Sequence, residues 1–193
     1  MNTSEAINNL RNLKISRHRR IWKPFMEKYN CQIISEVGVF EGENFRRMIE
    51  HGPAIAVAVD LWKETGVVSQ NDSGYTQDRL DRIYNTFKSE MCEKKSVKIL
   101  REDTNAAASR FPDEYFDLIY IDGDHTYEGC KRDIEAWYPK LKKNGFFTGD
   151  DYWNRTAPNT GVQFGVKKAV NEFAKKNNLT VYPLPRHGWA IIK

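Results

Sequence analysis

Asp122 and His125 stand three residues apart, and Asp150 and Asp151 form an adjacent pair further down the chain. Short apolar runs precede both groups: Phe116 to Ile121 leads into Asp122, and Gly145 to Thr148 leads through Gly149 into the acid pair. Such runs read as buried strands, so these acids fall at strand ends, where neighbouring strands of a parallel sheet open onto one crevice. Three carboxylates meeting there repel one another and raise each other's pKa unless a cation neutralises them. A hard divalent ion with oxygen ligands, foremost Mg²⁺ keeping several waters, meets that demand. Asp122, Asp150 and Asp151 are therefore expected as metal ligands, the alternative being that Asp122 and Asp124 cap a helix starting near Thr126. An imidazole titrates near neutrality, so His125, beside them, is suited to take a proton from a bound hydroxyl, with Asp122 as its catalytic neighbour.

A second set of residues lies upstream. Glu36, Gly38 and Gly42 form E-x-G-x-x-x-G after the apolar run at Ile33 to Val37, and Asp60 closes the next run, Ala54 to Val59. The spacing is not the G-x-G-x-x-G of dinucleotide sites, which disfavours a pyrophosphate and a nicotinamide dehydrogenase. An acid at the end of the second strand can grip a ribose. Asp103 follows a third run, Val97 to Leu100, so three acids at successive strand ends suit a ligand with ribose hydroxyls, an amine and an adenine amino group. Taken singly, each acid is equally well a helix cap.

The elements that must position these residues alternate. Strands are expected at 33–37, 54–59, 97–100, 116–121, 145–148, 180–182 and 189–192, with helices at 76–93, 106–111, 126–141 and 166–176 between them. This is an α/β chain: a doubly wound, mostly parallel seven-stranded sheet whose last two strands, lacking a helix between them, make an antiparallel C-terminal edge. Residues 1–29 read as two helical pieces, a lid or dimer-contact segment for a possible homodimer, within a single domain of residues 1–193. The stretches 61–75 and 152–165 read as loops over the carboxyl edge of the sheet.

The motifs E-V-G-V-F-E-G, A-V-D-L-W, I-D-G-D-H-T-Y-E-G and G-D-D-Y, in this order, resemble the class I S-adenosylmethionine-dependent methyltransferases. The similarity is to the small metal-dependent O-methyltransferase branch, which includes macrolide-sugar and caffeoyl-CoA O-methyltransferases, and it spans Ile33 to Ile192. The resemblance implies that Glu36, Gly38 and Gly42 line the S-adenosylmethionine, that Asp60 binds its ribose, that Leu61 or Trp62 packs on the adenine and that Asp103 faces the adenine amino group. It further implies metal ligation by Asp122, Asp150 and Asp151, and a base at His125. Phe40 departs from the pattern, standing where many members carry a glycine. The expected activity is O-methylation of a small polyhydroxylated acceptor, a sugar or a catechol-like diol, the alternative being a non-catalytic S-adenosylmethionine-binding module.

Composition narrows the setting. A net charge of +4, with basic residues clustered only at Arg17 to Arg20, argues against a nucleic-acid partner, and no run approaches the roughly 18 apolar residues of a membrane span. Cys31, Cys92 and Cys130 are far apart and odd in number, which points to reduced thiols in the cytoplasm. His187 reads as structural, and Tyr127, Tyr152 and Trp153 either line the acceptor pocket or pack.

Overall fold

The protein is described from a computed structural model, which defines residues 2–15, 22–64, 75–156 and 161–193. The basic cluster Arg17 to Arg20, most of the expected 61–75 loop and Pro158 lie outside the described residues.

Two helices, α1 (Thr3–Ile15) and α2 (Trp22–Lys28), precede β1 (Ile33–Val37), α3 (Glu43–Met48) and β2 (Ile55–Asp60). Then come α4 (Gln77–Met91), β3 (Val97–Arg101), α5 (Thr104–Ala108), β4 (Phe116–Ile121), α6 (Tyr127–Trp137) and β5 (Leu141–Gly149). The chain closes with α7 (Val166–Lys176), β6 (Tyr182–Leu184) and β7 (Gly188–Ile192). These strands form one sheet in the order β3-β2-β1-β4-β5-β7-β6. The first five are parallel, and β7 runs antiparallel to both β5 and β6, giving the expected antiparallel end with β6 outermost. The helix expected over 126–141 stops at Trp137 and tightens into a 3₁₀ turn, Tyr138–Lys140, because Pro139 has no amide to continue it.

Alternation along the strands sorts the core into two layers. Ala56, Ala58, Leu118, Tyr120 and Phe146 point to the side covered by α1 to α4, where Ala6, Leu10, Phe25, Phe45 and Phe87 are buried. Val57, Val59, Ile119, Ile121 and Phe147 point to the other side, under α5, α6 and α7. The described parts of the N-terminal segment thus cover one sheet face, with Ala6, Ile7 and Leu10 of α1 and Phe25 and Met26 of α2 all buried.

Register brings the chemistry to one level. Val37 pairs with both Val59 and Ile121, and Ile121 pairs with Gly149. Gly38, Asp60, Asp122 and Asp150 are therefore the residues that leave the sheet together along its carboxyl edge. The chain runs from β1 outward to β3 and returns to β4 beside β1, so the strand order reverses at this edge, where open α/β sheets bind ligands.

Candidate active site

The β1 turn is built to let two loops touch. Gly38 has φ +87°, and a Cβ placed there would lie 2.1 Å from the carbonyl oxygen of Asp122. Only glycine allows the β1 and β4 ends to approach so closely. Gly42, at φ +76°, stands against the Phe87 ring, 2.4 Å from where its Cβ would be, and opens α3. Between them Phe40 takes the left-handed φ of +49° in the place of the missing glycine, and its ring stacks on Tyr75 at 5.0 Å.

Asp60 ties this turn to β2. One carboxylate oxygen accepts from the amides of Val39 (2.9 Å) and Phe40 (2.8 Å), and the other from the amide of Trp62 (2.8 Å). Burial pushes its pKa up, opposed by these amide donors. Trp62 is 1% exposed, at φ +40°, with its indole N–H on the Phe40 carbonyl and its ring against Tyr84 and Phe87. Its ring is thus committed to the core, and Leu61 offers the half-buried apolar surface beside it. Glu36, 1% exposed, accepts from the Asn44 amide (2.9 Å), whose own oxygen accepts from the Trp22 indole (2.9 Å). Asp103 caps α5, one oxygen accepting from the amides of Asn105 and Ala106.

Glu36, Gly38, Phe40, Gly42, Asp60, Leu61, Trp62 and Asp103 border one cavity of about 590 Å³, together with Asp122, His125 and Asp151. The last three form the group, among the described residues, whose ligand atoms lie within 4.8 Å of one another. The His125 Nε2 stands 3.4 Å from an Asp122 oxygen and 3.3 Å from an Asp151 oxygen, and its ring lies over Phe164. Asp122 is pushed up by burial and by the charges of Asp150 and Asp151, against the pull of His125. Asp150 stands beside this group without being part of it. One of its oxygens accepts from the Tyr120 hydroxyl (3.2 Å) and the other from the Asp151 amide (3.0 Å). Asp124 accepts from the Thr126 amide (2.9 Å) just ahead of α6, while Thr126 itself caps the helix, its hydroxyl accepting from the Gly129 amide (3.1 Å).

Sequence reasoning missed Asn44, which links Glu36 to Trp22, and Asp133, which is 3% exposed at the cavity wall. Asp133 accepts from the Thr104 hydroxyl. The signal was present in the sequence: Asp133 is an acid on the apolar stripe Cys130, Ile134, Trp137 of an amphipathic helix.

A family model, Methyltransf_24, described as a methyltransferase domain, matches residues 35–152, well over half of the chain. Among solved structures, the O-methyltransferase NovP is 16% identical, with a TM-score of 0.62 over 97% of this chain and 78% of that one. CalS11, a TDP-rhamnose 3′-O-methyltransferase of calicheamicin biosynthesis, is 16% identical with a TM-score of 0.60, over 98% of this chain and 93% of its own. SAH-bound PaMTH1 from Podospora anserina is 13% identical with a TM-score of 0.60, over 97% and 87%. At these identities the likeness is one of fold, and no curated protein matches the sequence significantly. The family match covers the β1 turn, Asp60, Asp122, His125 and Asp151, and with it the chain belongs to the Methyltransf_24 methyltransferases, of the class I S-adenosylmethionine-dependent type.

Proposed function

We propose that this protein is a divalent-metal-assisted O-methyltransferase acting on a hydroxyl of a small polyhydroxylated acceptor, in the cytoplasm. The observation that carries the reading is the convergence of Asp122, His125 and Asp151 on the cavity that also holds the β1 turn and Asp60. The donor set fits a metal: the Asp122 and Asp151 carboxylates offer oxygens within 4.8 Å of one another, with Asp150 adding negative charge beside Asp122 and His125 kept as the base. Asp122 and Asp151 offer the oxygen atoms that Mg²⁺ favours, and Asp150, expected from the sequence as a third ligand, accepts from the Tyr120 hydroxyl and adds charge beside Asp122. Such an ion, when bound, neutralises the carboxylates and lowers the pKa of an acceptor hydroxyl.

The chain's own residues do the rest. Gly38 and Gly42 shape the turn that lines the amino-acid portion of S-adenosylmethionine, with Glu36 facing its amine. Asp60 stands at the ribose, Leu61 beside the adenine, with Asp103 at the far end. His125 takes the acceptor proton at Nε2, which Asp122 and Asp151 flank at 3.4 and 3.3 Å and so hold toward the acceptor. Positioning two reactants in a closed site accounts for most of the rate expected of such an enzyme.

A sugar hydroxyl and a catechol-like diol are both consistent with chelation. The test is transfer of labelled methyl from S-adenosylmethionine to a panel of sugars and diols, with and without EDTA. Transfer that is lost with EDTA and in Asp151→Ala supports the reading. Full transfer under both conditions refutes the metal, and cofactor binding with no turnover on any acceptor favours a non-catalytic module.

A further inference from the structure

Asp151 depends on a neighbour that neither the motif reading nor the cavity explains. It occupies a left-handed backbone conformation, φ +51°, two residues past the end of β5. One oxygen accepts from the indole N–H of Trp153 at 3.0 Å, leaving the other 3.3 Å from His125 Nε2. The indole is itself immobilised. The His187 ring stacks on it with centroids 3.7 Å apart and planes 18° from parallel, and the Arg155 guanidinium carbon lies 3.4 Å from the ring centre. Two groups so near the centre cannot share a face, so the indole is sandwiched. The backbone on each side of the stack is also held: the Tyr152 amide donates to the His187 carbonyl (2.6 Å), and the Lys167 amide to the Trp153 carbonyl (3.3 Å).

From this geometry we infer that Trp153 is a positioning residue, which with His187 and Arg155 aims the Asp151 carboxylate at His125 and Asp122. The inference rests on the proposed role of Asp151 at the reacting end of the cavity. It also gives the β6–β7 hairpin, which carries His187, a part in the site: its turn supplies one jaw of the clamp. Trp153 touches none of the reacting groups. Metal sites behave this way in general, since partners behind the ligands fix the ligands' orientation.

The test compares Trp153→Phe, which keeps a stacking ring and lacks the donor, with His187→Ala, which keeps the donor and loosens the ring. Mn²⁺ binding is followed by electron paramagnetic resonance, S-adenosylmethionine binding by calorimetry, and the Asp151 orientation by crystallography. Trp153→Phe is expected to weaken Mn²⁺ about 10- to 100-fold, to leave S-adenosylmethionine affinity unchanged and to turn the Asp151 oxygen away from His125. His187→Ala is expected to show a smaller change in the same sense. Wild-type Mn²⁺ affinity and an unmoved Asp151 in Trp153→Phe overturn the inference, as does a parallel loss of S-adenosylmethionine binding, which marks general disruption. If the wild-type protein takes up no Mn²⁺ while Asp151 still turns in Trp153→Phe, the positioning role stands and the metal reading falls.

Discussion

Gly38→Ala tests whether the close approach of β1 and β4 is what builds the cofactor turn. The added methyl faces two costs. The φ of +87° is a conformation that alanine rarely adopts, with a penalty of roughly 1–2 kcal/mol. In addition the Cβ would lie 2.1 Å from the Asp122 carbonyl oxygen and 2.5 Å from the Gly123 amide, both backbone atoms that no rotamer change can move. Relieving that overlap requires the strand ends to part, at about 1–3 kcal/mol by analogy with overpacked cores. Gly52→Ala is the matched control, because its φ is +75° and nothing lies within 4 Å of its Cβ position, so only the first cost applies. Urea denaturation should therefore place Gly38→Ala below Gly52→Ala by about 1–3 kcal/mol. Calorimetry should show S-adenosylmethionine binding lost in the first and kept in the second. Equal stabilities, or normal binding by Gly38→Ala, would refute the reasoning.

Asp60→Ala leaves the amides of Val39, Phe40 and Trp62 without their acceptor and should cost about 2–4 kcal/mol in urea denaturation; a loss under 1 kcal/mol contradicts the tie between the turns. Burial pushes Asp133 up to about 7, so the folded state holds a proton that the unfolded chain releases above about pH 4, and stability falls as pH rises between those values. Asp133→Asn should accordingly match wild type near pH 4 and exceed it by about 4 kcal/mol at pH 8, as read from denaturation at several pH values; a difference independent of pH rejects this. Asn44→Leu removes the bridge between Glu36 and Trp22 and should destabilise by about 1–3 kcal/mol while weakening cofactor binding, measured by thermal melting and calorimetry; unchanged binding would separate Asn44 from the site.

How far the sequence disclosed this site depends on which physical rule placed each residue. The strand ends were legible because short apolar runs stop where the sheet does, and Gly38, Asp60, Asp122 and Asp150 follow from that alone. Side-chain direction was not legible, since it is settled by competition among partners far apart in sequence. Asp150 turns to Tyr120 and Trp62 into the core, each captured by a contact that no local pattern records, whereas Asp103 takes the local helix-cap alternative on α5. Phe40 replaces a glycine and keeps the glycine's backbone, held there by the Asp60 carboxylate on its amide and the Trp62 indole on its carbonyl. The clamp on Asp151 joins residues from opposite sides of α7 and was likewise hidden.

The most direct test of the account is a crystal structure grown with Mn²⁺ and S-adenosylhomocysteine, with anomalous scattering used to locate the ion. The account expects one Mn²⁺ within bonding distance of Asp122 and Asp151, and the nucleoside in the cavity between Asp60 and Asp103. An ion bound elsewhere, or a cavity that admits no nucleoside while the β1 turn is intact, would contradict it.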